Sequence, residues 1–313
     1  MKFLSSNFFQ NLDPDLIVLQ QVPSRHYSSF HCLSTIEAVV RPQTSSSLQL
    51  LLQELTRQEL MWKIDWVPLG KGSNVLISDR GFGLVVDLSL MNQISIVCED
   101  ENELILDVGA GCGNGKLLQF LRKKRCKGFG FSFGIPGTLG GGVRMNAGTP
   151  LGSFSQCTIG VSALDMGGQS MFDRELSSKD FSYRDFPAGR DWVVFRLRMR
   201  FAKASEREVE REIEDAKVKR ANQPLHLPNF GSAFKNPPGD FAARLIEAAG
   251  LKERRIGDAQ ISSMHANFIV NLNAAKTEDA LQLIELAKTT VRKKFGVQLH
   301  REVHVIGDSE YDS

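Results

Sequence analysis

The spacing of apolar positions changes along this chain, and each change marks where a helix or strand is expected. Over residues 47–60, Leu48, Leu51, Leu52 and Leu55 recur at helical spacing behind Ser47, which predicts an amphipathic helix capped by that serine. Short apolar runs at 83–90, 94–100 and 103–108 predict strands. Residues 116–125 predict a helix whose basic last turn suits the negative end of its dipole. Over residues 192–201 the pattern alternates, with Val193, Phe195, Leu197, Met199 and Phe201 on one face and Arg196, Arg198 and Arg200 on the other. A half-buried strand with solvated arginines follows.

The charged run at 203–220 keeps Val209, Ile213 and Ala216 at helical spacing, so it reads as a surface helix, and it is expected to open a second domain. A glycine-containing loop, a helix at 240–250, a strand at 265–272, a helix at 277–295 ended by Gly296 and a last strand at 299–306 complete the pattern. The expected division is a domain over residues 1–203, with its core at about 30–203, and a smaller one over 204–313. The fold class is α+β.

Composition narrows the class. The 313 residues are 42% hydrophobic and 24% charged, as in soluble globular proteins. A formal charge of +2 implies no bulk attraction to nucleic acid or to an anionic membrane. The five cysteines are scattered without a C-x-x-C pair, which argues against a disulfide framework and for a reducing cytoplasm. The first ten residues lack the apolar core of a secretory signal, and no apolar run reaches the length of a membrane span. A cytoplasmic monomer or weak oligomer is expected.

Two glycine loops carry the candidate chemistry. One is Gly70, Gly72, Ser73 and Asn74, between apolar runs at 66–69 and 75–77. The other holds Gly134, Ile135, Pro136, Gly137, Thr138, Gly140 and Gly141, followed by Asn146, Ala147 and Gly148. Glycines in such loops admit positive φ and let backbone N–H groups approach a phosphate. Neither loop fits the dinucleotide fingerprint: Val75 stands where Gly70 and Gly72 would need a third glycine, and Asn114 stands where Gly109 and Gly111 would. The P-loop pattern fails as well, since Leu117 follows Gly115 and Lys116. The pair points to a two-phosphate ligand held outside a Rossmann unit, with tight turns as the alternative.

Further candidates lie downstream. Ser232 has no Gly-x-Ser-x-Gly elbow, so it is not expected to be a hydrolase nucleophile, while Lys235 and Asn236 suit phosphate or sugar oxygens if they are not merely solvated. Arg184, between aromatic neighbours, could meet a carboxylate bidentately. His300, Glu302 and His304 share one face of the expected last strand, a polar face rather than a metal site, and no metal is expected.

Taken in order, Leu69-Gly-x-Gly-Ser-Asn74, Gly134-Ile-Pro-Gly-Thr-x-Gly-Gly141 with Met145-Asn-Ala-Gly148, Tyr183-Arg-Asp185, Gly231-Ser-x-Phe-Lys-Asn-Pro237, Leu245-Ile-Glu-x-Ala-Gly-Leu-Lys252, His265-Ala-x-Phe-Ile-Val-Asn271 and Glu302-Val-x-x-Ile-Gly307 resemble the UDP-N-acetylenolpyruvoylglucosamine reductase family. The resemblance runs from about residue 30 to residue 307. It implies an FAD-binding domain of the vanillyl-alcohol-oxidase (PCMH) type, with both loops on a non-covalent FAD, followed by a substrate-binding domain for a UDP-sugar. It also implies NADPH as reductant and hydride delivery to the enolpyruvyl ether. By the same resemblance Ser232 protonates the substrate carbon, Arg184 and Glu302 hold its carboxylate, and Tyr183, Arg220, Lys235 and Asn236 contact the rest of the substrate.

The chain departs from the family pattern in places. Ser28-Ser-Phe-His-Cys-Leu-Ser34 stands where the family has Thr-Thr-Phe-Arg-Ile-Gly-Gly, so a different first flavin contact is expected. Phe186 and Phe230 stand where smaller residues are usual, which implies an altered pocket. No tyrosine occurs between Arg184 and Ser232, as in the shorter subfamily without a tyrosine-bearing lid. Two other readings remain at this level: an FAD-dependent oxidase of the same fold, and a non-catalytic FAD- or nucleotide-sugar-binding protein.

Overall fold

The computed structural model describes residues 6–307. They form two compact units, each built from separate stretches of chain. The first takes the stretch ending at Gln20, Ala38–Gly70 and Leu84–Ala221; the second takes Gln21–Glu37, Lys71–Gly83 and the stretch from Asn222 onward. These units differ from the two contiguous domains expected. Helix Glu206–Arg220 belongs to the first unit, because its buried Val209 and Ala216 form an inward stripe and Glu212 accepts from the Gly128 N–H at 2.9 Å. A single surface helix opening a new domain would have no such dock.

The first unit has an antiparallel sheet at its centre, ordered Met171–Glu175, Thr158–Asp165, Trp192–Lys203, Glu103–Gly109, Ile94–Glu99, with Cys126–Lys127 pairing the end of Trp192–Lys203. The alternation of that long strand holds: Val193, Phe195, Leu197, Met199 and Phe201 are buried. Its arginines do more than meet water, since Arg198 donates twice to Asp107 at 2.8 Å on the neighbouring strand and Arg196 reaches over Thr158–Asp165 to pair with Asp173 at 3.3 Å. Exposed cross-strand pairs of this kind are worth about 0.2–1 kcal/mol each. Strands Ile17–Pro23, Thr35–Arg41, Phe82–Asp87 and Trp66–Leu69 make a second sheet in that order, the last two parallel. Helix Ser45–Arg57 buries Leu48, Leu51, Leu52 and Leu55 as the spacing predicts. Its cap is Thr44 rather than Ser47; the Thr44 hydroxyl accepts from the Ser47 N–H and Ser47 itself is buried in the first turn. Helix Asn114–Lys123 starts two residues before the expected 116, because the extended Gly113 ends the preceding loop.

In the second unit, strands Asn229–Ser232, Phe268–Asn271, Ala259–Ile261 and Arg255–Ile256 form an antiparallel sheet in that order. Phe30, Phe230, Phe234, Ile246, Phe268 and Ile284 are buried in its core. Helix Thr277–Phe295 ends at Gly296, which takes the left-handed φ of 69° expected of a C-terminal cap. The last strand is shorter than its alternation suggested: only His304–Ile306 is regular, and it pairs parallel with Val75–Ile77. Upstream, Arg301 bridges to Phe234 and the Glu302 N–H donates to the Ala233 carbonyl at 2.9 Å. The segment changes partners between Glu302 and His304, so His300, Glu302 and His304 do not line one face of one strand.

Candidate active site

The glycine loop of the first unit is held largely by its own backbone. The Leu139 N–H donates to the Cys112 carbonyl and the Gly140 N–H to the Ala110 carbonyl, both at 2.8 Å, which seats the start of helix Leu139–Arg144 on the end of strand Glu103–Gly109. These two donors are taken up by the loop's own fold. Asn114 completes the seat, its N–H meeting the Gly137 carbonyl at 3.2 Å and its side-chain amide the Ile135 carbonyl at 3.1 Å. The position that broke the dinucleotide fingerprint thus has its own task, and sequence reasoning passed over it because asparagine spacing alone carries no loop signature.

Gly70 meets this loop directly. A Cβ built on Gly70 would stand 2.1 Å from the Thr138 Oγ1, so glycine is what lets position 70 approach Thr138 this closely within the first unit. Over Gly141 a Cβ would find nothing nearer than Thr138 Oγ1 at 3.7 Å, which leaves the backbone there open to a ligand. Ile135 and Pro136 line a depression of about 510 Å³ with Leu118, Arg122 and Ile213. Asn146, in the left-handed region at φ 38°, gives its amide to the Ser182 carbonyl at 2.9 Å and accepts from the Ser155 N–H at 3.0 Å. Its side chain ties the loop together, and its own N–H donates to the Val143 carbonyl at 3.0 Å. Ala147 is fixed by its N–H to the Gly142 carbonyl at 2.8 Å.

Arg184 lies at the tip of a tight turn in the same unit, with Ser182 and Asp185 exchanging backbone bonds at 3.1 and 3.3 Å. It takes φ 58°, a region that costs a residue with a Cβ roughly 1–2 kcal/mol. Glycine or asparagine would sit there with less strain. Its Nη2 donates to the Gly148 carbonyl at 2.7 Å, and its charge lies 5.0 Å from the centre of the exposed Tyr183 ring. Burial pushes the neighbouring Asp185 carboxyl up, but bonds from Arg190 and from the Phe186 N–H outweigh it and leave the carboxyl below its usual range. Phe186 is fully buried, stacked on Phe181 at 4.7 Å. It is part of the core of the first unit. Arg220, at the end of helix Glu206–Arg220, has a buried Nε without a partner among the described residues, and burial lowers the guanidinium pKa.

The second unit brings Ser232 and Glu302 together. Ser232 ends strand Asn229–Ser232, and the next residue, Ala233, accepts from the Glu302 N–H at 2.9 Å. The Asn74 side-chain amide donates to the Glu302 carbonyl at 3.0 Å, tying the Lys71–Asn74 stretch of the first glycine loop to the same segment. Its Oδ1 is buried without a partner among the described residues. Gly72 is left-handed at φ 58°, and a Cβ on it would stand 1.8 Å from the Tyr27 carbonyl oxygen. Lys235 is anchored by its N–H to the His300 carbonyl at 2.9 Å, and the Asn236 Oδ1 accepts from the Ala242 N–H at 3.1 Å, which leaves its amide NH₂ to face outward. Ser73 lies between Gly72 and Asn74, half-buried. Phe230, like Phe186, is core, packed at 5.4 Å on Phe30.

The altered 28–34 segment is hydrogen-bonded throughout. Ser28 Oγ donates to the Val75 carbonyl at 2.7 Å, Ser29 Oγ to the Asn229 carbonyl at 2.6 Å, and Asn271 donates to the Phe30 carbonyl at 2.8 Å. These serines brace the second unit, a role that the sequence motif did not signal. Among the described residues no cluster of His, Cys, Asp or Glu is arranged to hold a metal, and no helix is long and apolar enough to cross a membrane.

Comparison with known proteins identifies the class and then the family. Residues 36–171 match the family described as FAD binding domain, and the chain is an FAD-binding oxidoreductase. Residues 223–306 match UDP-N-acetylenolpyruvoylglucosamine reductase, C-terminal domain. The UDP-N-acetylenolpyruvoylglucosamine reductase of Moorella thermoacetica is 36% identical over 297 residues, covering 94% of this chain and 94% of that protein. That of Pelobacter propionicus is 32% identical over 296 residues, covering 93% and 96%. The crystal structure of UDP-N-acetylenolpyruvylglucosamine reductase from Thermus caldophilus superposes with a TM-score of 0.74 at 28% identity, over 93% of this chain and 98% of that one. The chain belongs to the UDP-N-acetylenolpyruvoylglucosamine reductase family.

Proposed function

We propose that this protein reduces the enolpyruvyl ether of UDP-N-acetylglucosamine enolpyruvate to UDP-N-acetylmuramate, the sugar nucleotide of peptidoglycan synthesis, using non-covalent FAD and NADPH. The chain's residues fit FAD. Open backbone over Gly141 in the first unit and the unpartnered Asn74 Oδ1 in the second are features that a ligand with phosphates, hydroxyls and ring N–H groups would satisfy. The residues that would hold it are Gly70, Gly72, Ser73 and Asn74 together with Gly134, Ile135, Pro136, Gly137, Thr138, Gly140, Gly141, Asn146, Ala147 and Gly148. When bound, FAD supplies two-electron chemistry linking NADPH oxidation to reduction of the alkene.

The protein's own residues manage charge and a proton. Addition at the methylene carbon leaves negative charge on the carbon beside the substrate carboxylate, and that charge spreads into the carboxylate oxygens. Arg184 offers a fixed guanidinium fork to those oxygens, a charge-assisted contact that strengthens as the charge grows. Glu302 hydrogen-bonds the same oxygens, for which its carboxyl must carry its proton. Ser232 then delivers the proton to carbon. Tyr183, Arg220, Lys235 and Asn236 serve substrate binding, the buried cation of Arg220 suiting a phosphate. The observation that best supports these roles is the Ala233–Glu302 hydrogen bond, which keeps serine and glutamate on adjoining backbone. Five free cysteines agree with a reducing cytoplasm as the working compartment.

The deciding experiment is Ser232→Ala in anaerobic stopped flow. NADPH should bleach the flavin at nearly the wild-type rate, while reoxidation by the enolpyruvyl substrate slows by roughly 10²–10⁴-fold, the worth of a positioned proton donor. Reoxidation within a few-fold of wild type would refute the assignment of Ser232.

A further inference from the structure

We infer that Ser29 is a positioning residue for the reaction, holding the strand that carries Ser232 in register with the Lys71–Asn74 loop. The inference rests on the role proposed for Ser232. Its observation is a closed circuit of hydrogen bonds inside the second unit. The Ser29 N–H donates to the Gly72 carbonyl at 3.1 Å, and its hydroxyl donates to the Asn229 carbonyl at 2.6 Å while the Asn229 N–H returns to the Ser29 carbonyl at 3.1 Å. From Asn229 the strand runs to Ser232, and Ala233 accepts from the Glu302 N–H at 2.9 Å. The Glu302 carbonyl then accepts from the Asn74 side chain at 3.0 Å, and the Asn74 carbonyl accepts from the His304 N–H at 3.1 Å. Gly72 and Asn74 belong to one loop, so the circuit closes.

Ser29 holds the one point of this circuit where the loop meets the start of the Ser232 strand. That strand needs holding. Its pairing with Phe268–Asn271 is irregular between Asn229 and Ser232, and Gly231 is left-handed at φ 79°. Asn229 stabilises the irregularity by accepting from the Gly231 N–H at 2.9 Å, while its amide donates to the Leu227 carbonyl at 2.8 Å. A strand with a left-handed residue just before its reactive serine has little ladder support of its own. Its register therefore depends on where Asn229 is fixed, and the Ser29 hydroxyl bonds that residue's carbonyl. Ser29 touches no reacting atom; it acts through Asn229 on the placement of Ser232.

Ser29→Ala and Ser29→Thr test the inference in the FAD-loaded full chain, with the two half-reactions measured separately and amide hydrogen exchange followed in parallel. In Ser29→Ala, flavin content and reduction by NADPH should match wild type, while reoxidation by the enolpyruvyl substrate falls about tenfold, the loss that goes with one hydrogen bond. Exchange at Gly231 and Ser232 should quicken, with Leu283 and Ile284 in the long helix unchanged. Ser29→Thr keeps the hydroxyl and should restore both readouts. Wild-type reoxidation together with wild-type exchange in Ser29→Ala would overturn the inference, as would equal damage from alanine and threonine or a uniform loss in both half-reactions. Failure of the wild-type protein to be reoxidised by the substrate would refute the proposed function; unchanged exchange in Ser29→Ala would still overturn the hold of Ser29 on the strand.

Discussion

Two glycines in the two glycine loops, Gly72 and Gly142, are both too crowded for a side chain, yet what crowds them differs in kind. A Cβ on Gly72 would stand 1.8 Å from the carbonyl oxygen of Tyr27, a backbone atom whose turn also positions Ser28 and Ser29. A Cβ on Gly142 would stand 2.2 Å from the ring of Phe154, a side chain packed edge-on against Phe129 at 5.5 Å. Backbone cannot yield without moving the elements it belongs to, whereas a ring can be trimmed. The same residue type therefore protects a fixed contact in one unit and a repackable one in the other.

The largest expected effect comes from Gly72→Ala. The left-handed backbone costs alanine roughly 1–2 kcal/mol and the steric conflict adds roughly 1–3. Thermal unfolding should detect a large loss, and no trimming of a neighbouring side chain should recover it. Gly142→Ala should lose roughly 1–3 kcal/mol from overpacking alone. Adding Phe154→Leu to it should give a double variant more stable than the sum of the single changes predicts, since the two sites share one space. Strict additivity would break the distinction between the loops.

Asn146→Ala offers a finer comparison within the first unit. It removes the bonds to Ser182 and Ser155 and places alanine at φ 38°, and should cost roughly 1–3 kcal/mol and weaken flavin retention on gel filtration. Asn146→Gly relieves the backbone strain and should be the milder change. If the two were equally damaging, the side-chain bonds would carry the whole effect.

The smallest effect concerns acid. Glu208 pairs with Lys127 and caps helix Glu206–Arg220 through Ser205, and the Lys127 bond, then the Ser205 bonds, lower its carboxyl from 4.5 to about 2. A depressed carboxyl stabilises the fold fully above its unfolded value, and that contribution is lost as pH falls from about 4.5 through about 2. In Glu208→Gln the melting temperature should fall slightly near neutrality, and the difference from wild type should vanish at the acid end. A constant difference across pH would assign the effect to the cap and not to the charge.

Much of the fold was legible in local pattern. The period-two face of Trp192–Lys203, the leucine stripe of Ser45–Arg57 and the glycine stop after Thr277–Phe295 each follow from the geometry of one element. That Phe186 and Phe230 are buried was not legible, because a large apolar side chain beside a motif reads the same whether it faces a ligand or the core. The alternation at His300, Glu302 and His304 misled for a related reason: residue spacing assumes one partner strand throughout, and here the partner changes midway.

The sequence by itself determined the family, through the order and spacing of short motifs that each name a backbone conformation or a reactive group. Local chemistry is enough for that, since glycine, proline and a charged tip act within a few residues. Only the tertiary structure decided which donors in the glycine loops face outward and which seat the loop, that Asn114 and Ser29 are braces, and that residues 21–37 and 71–83 fold with the C-terminal part of the chain. Those outcomes depend on contacts between residues far apart in sequence, such as Ser29 with Asn229 or Asn74 with Glu302, and no local pattern records which distant carbonyl a hydroxyl or amide will find.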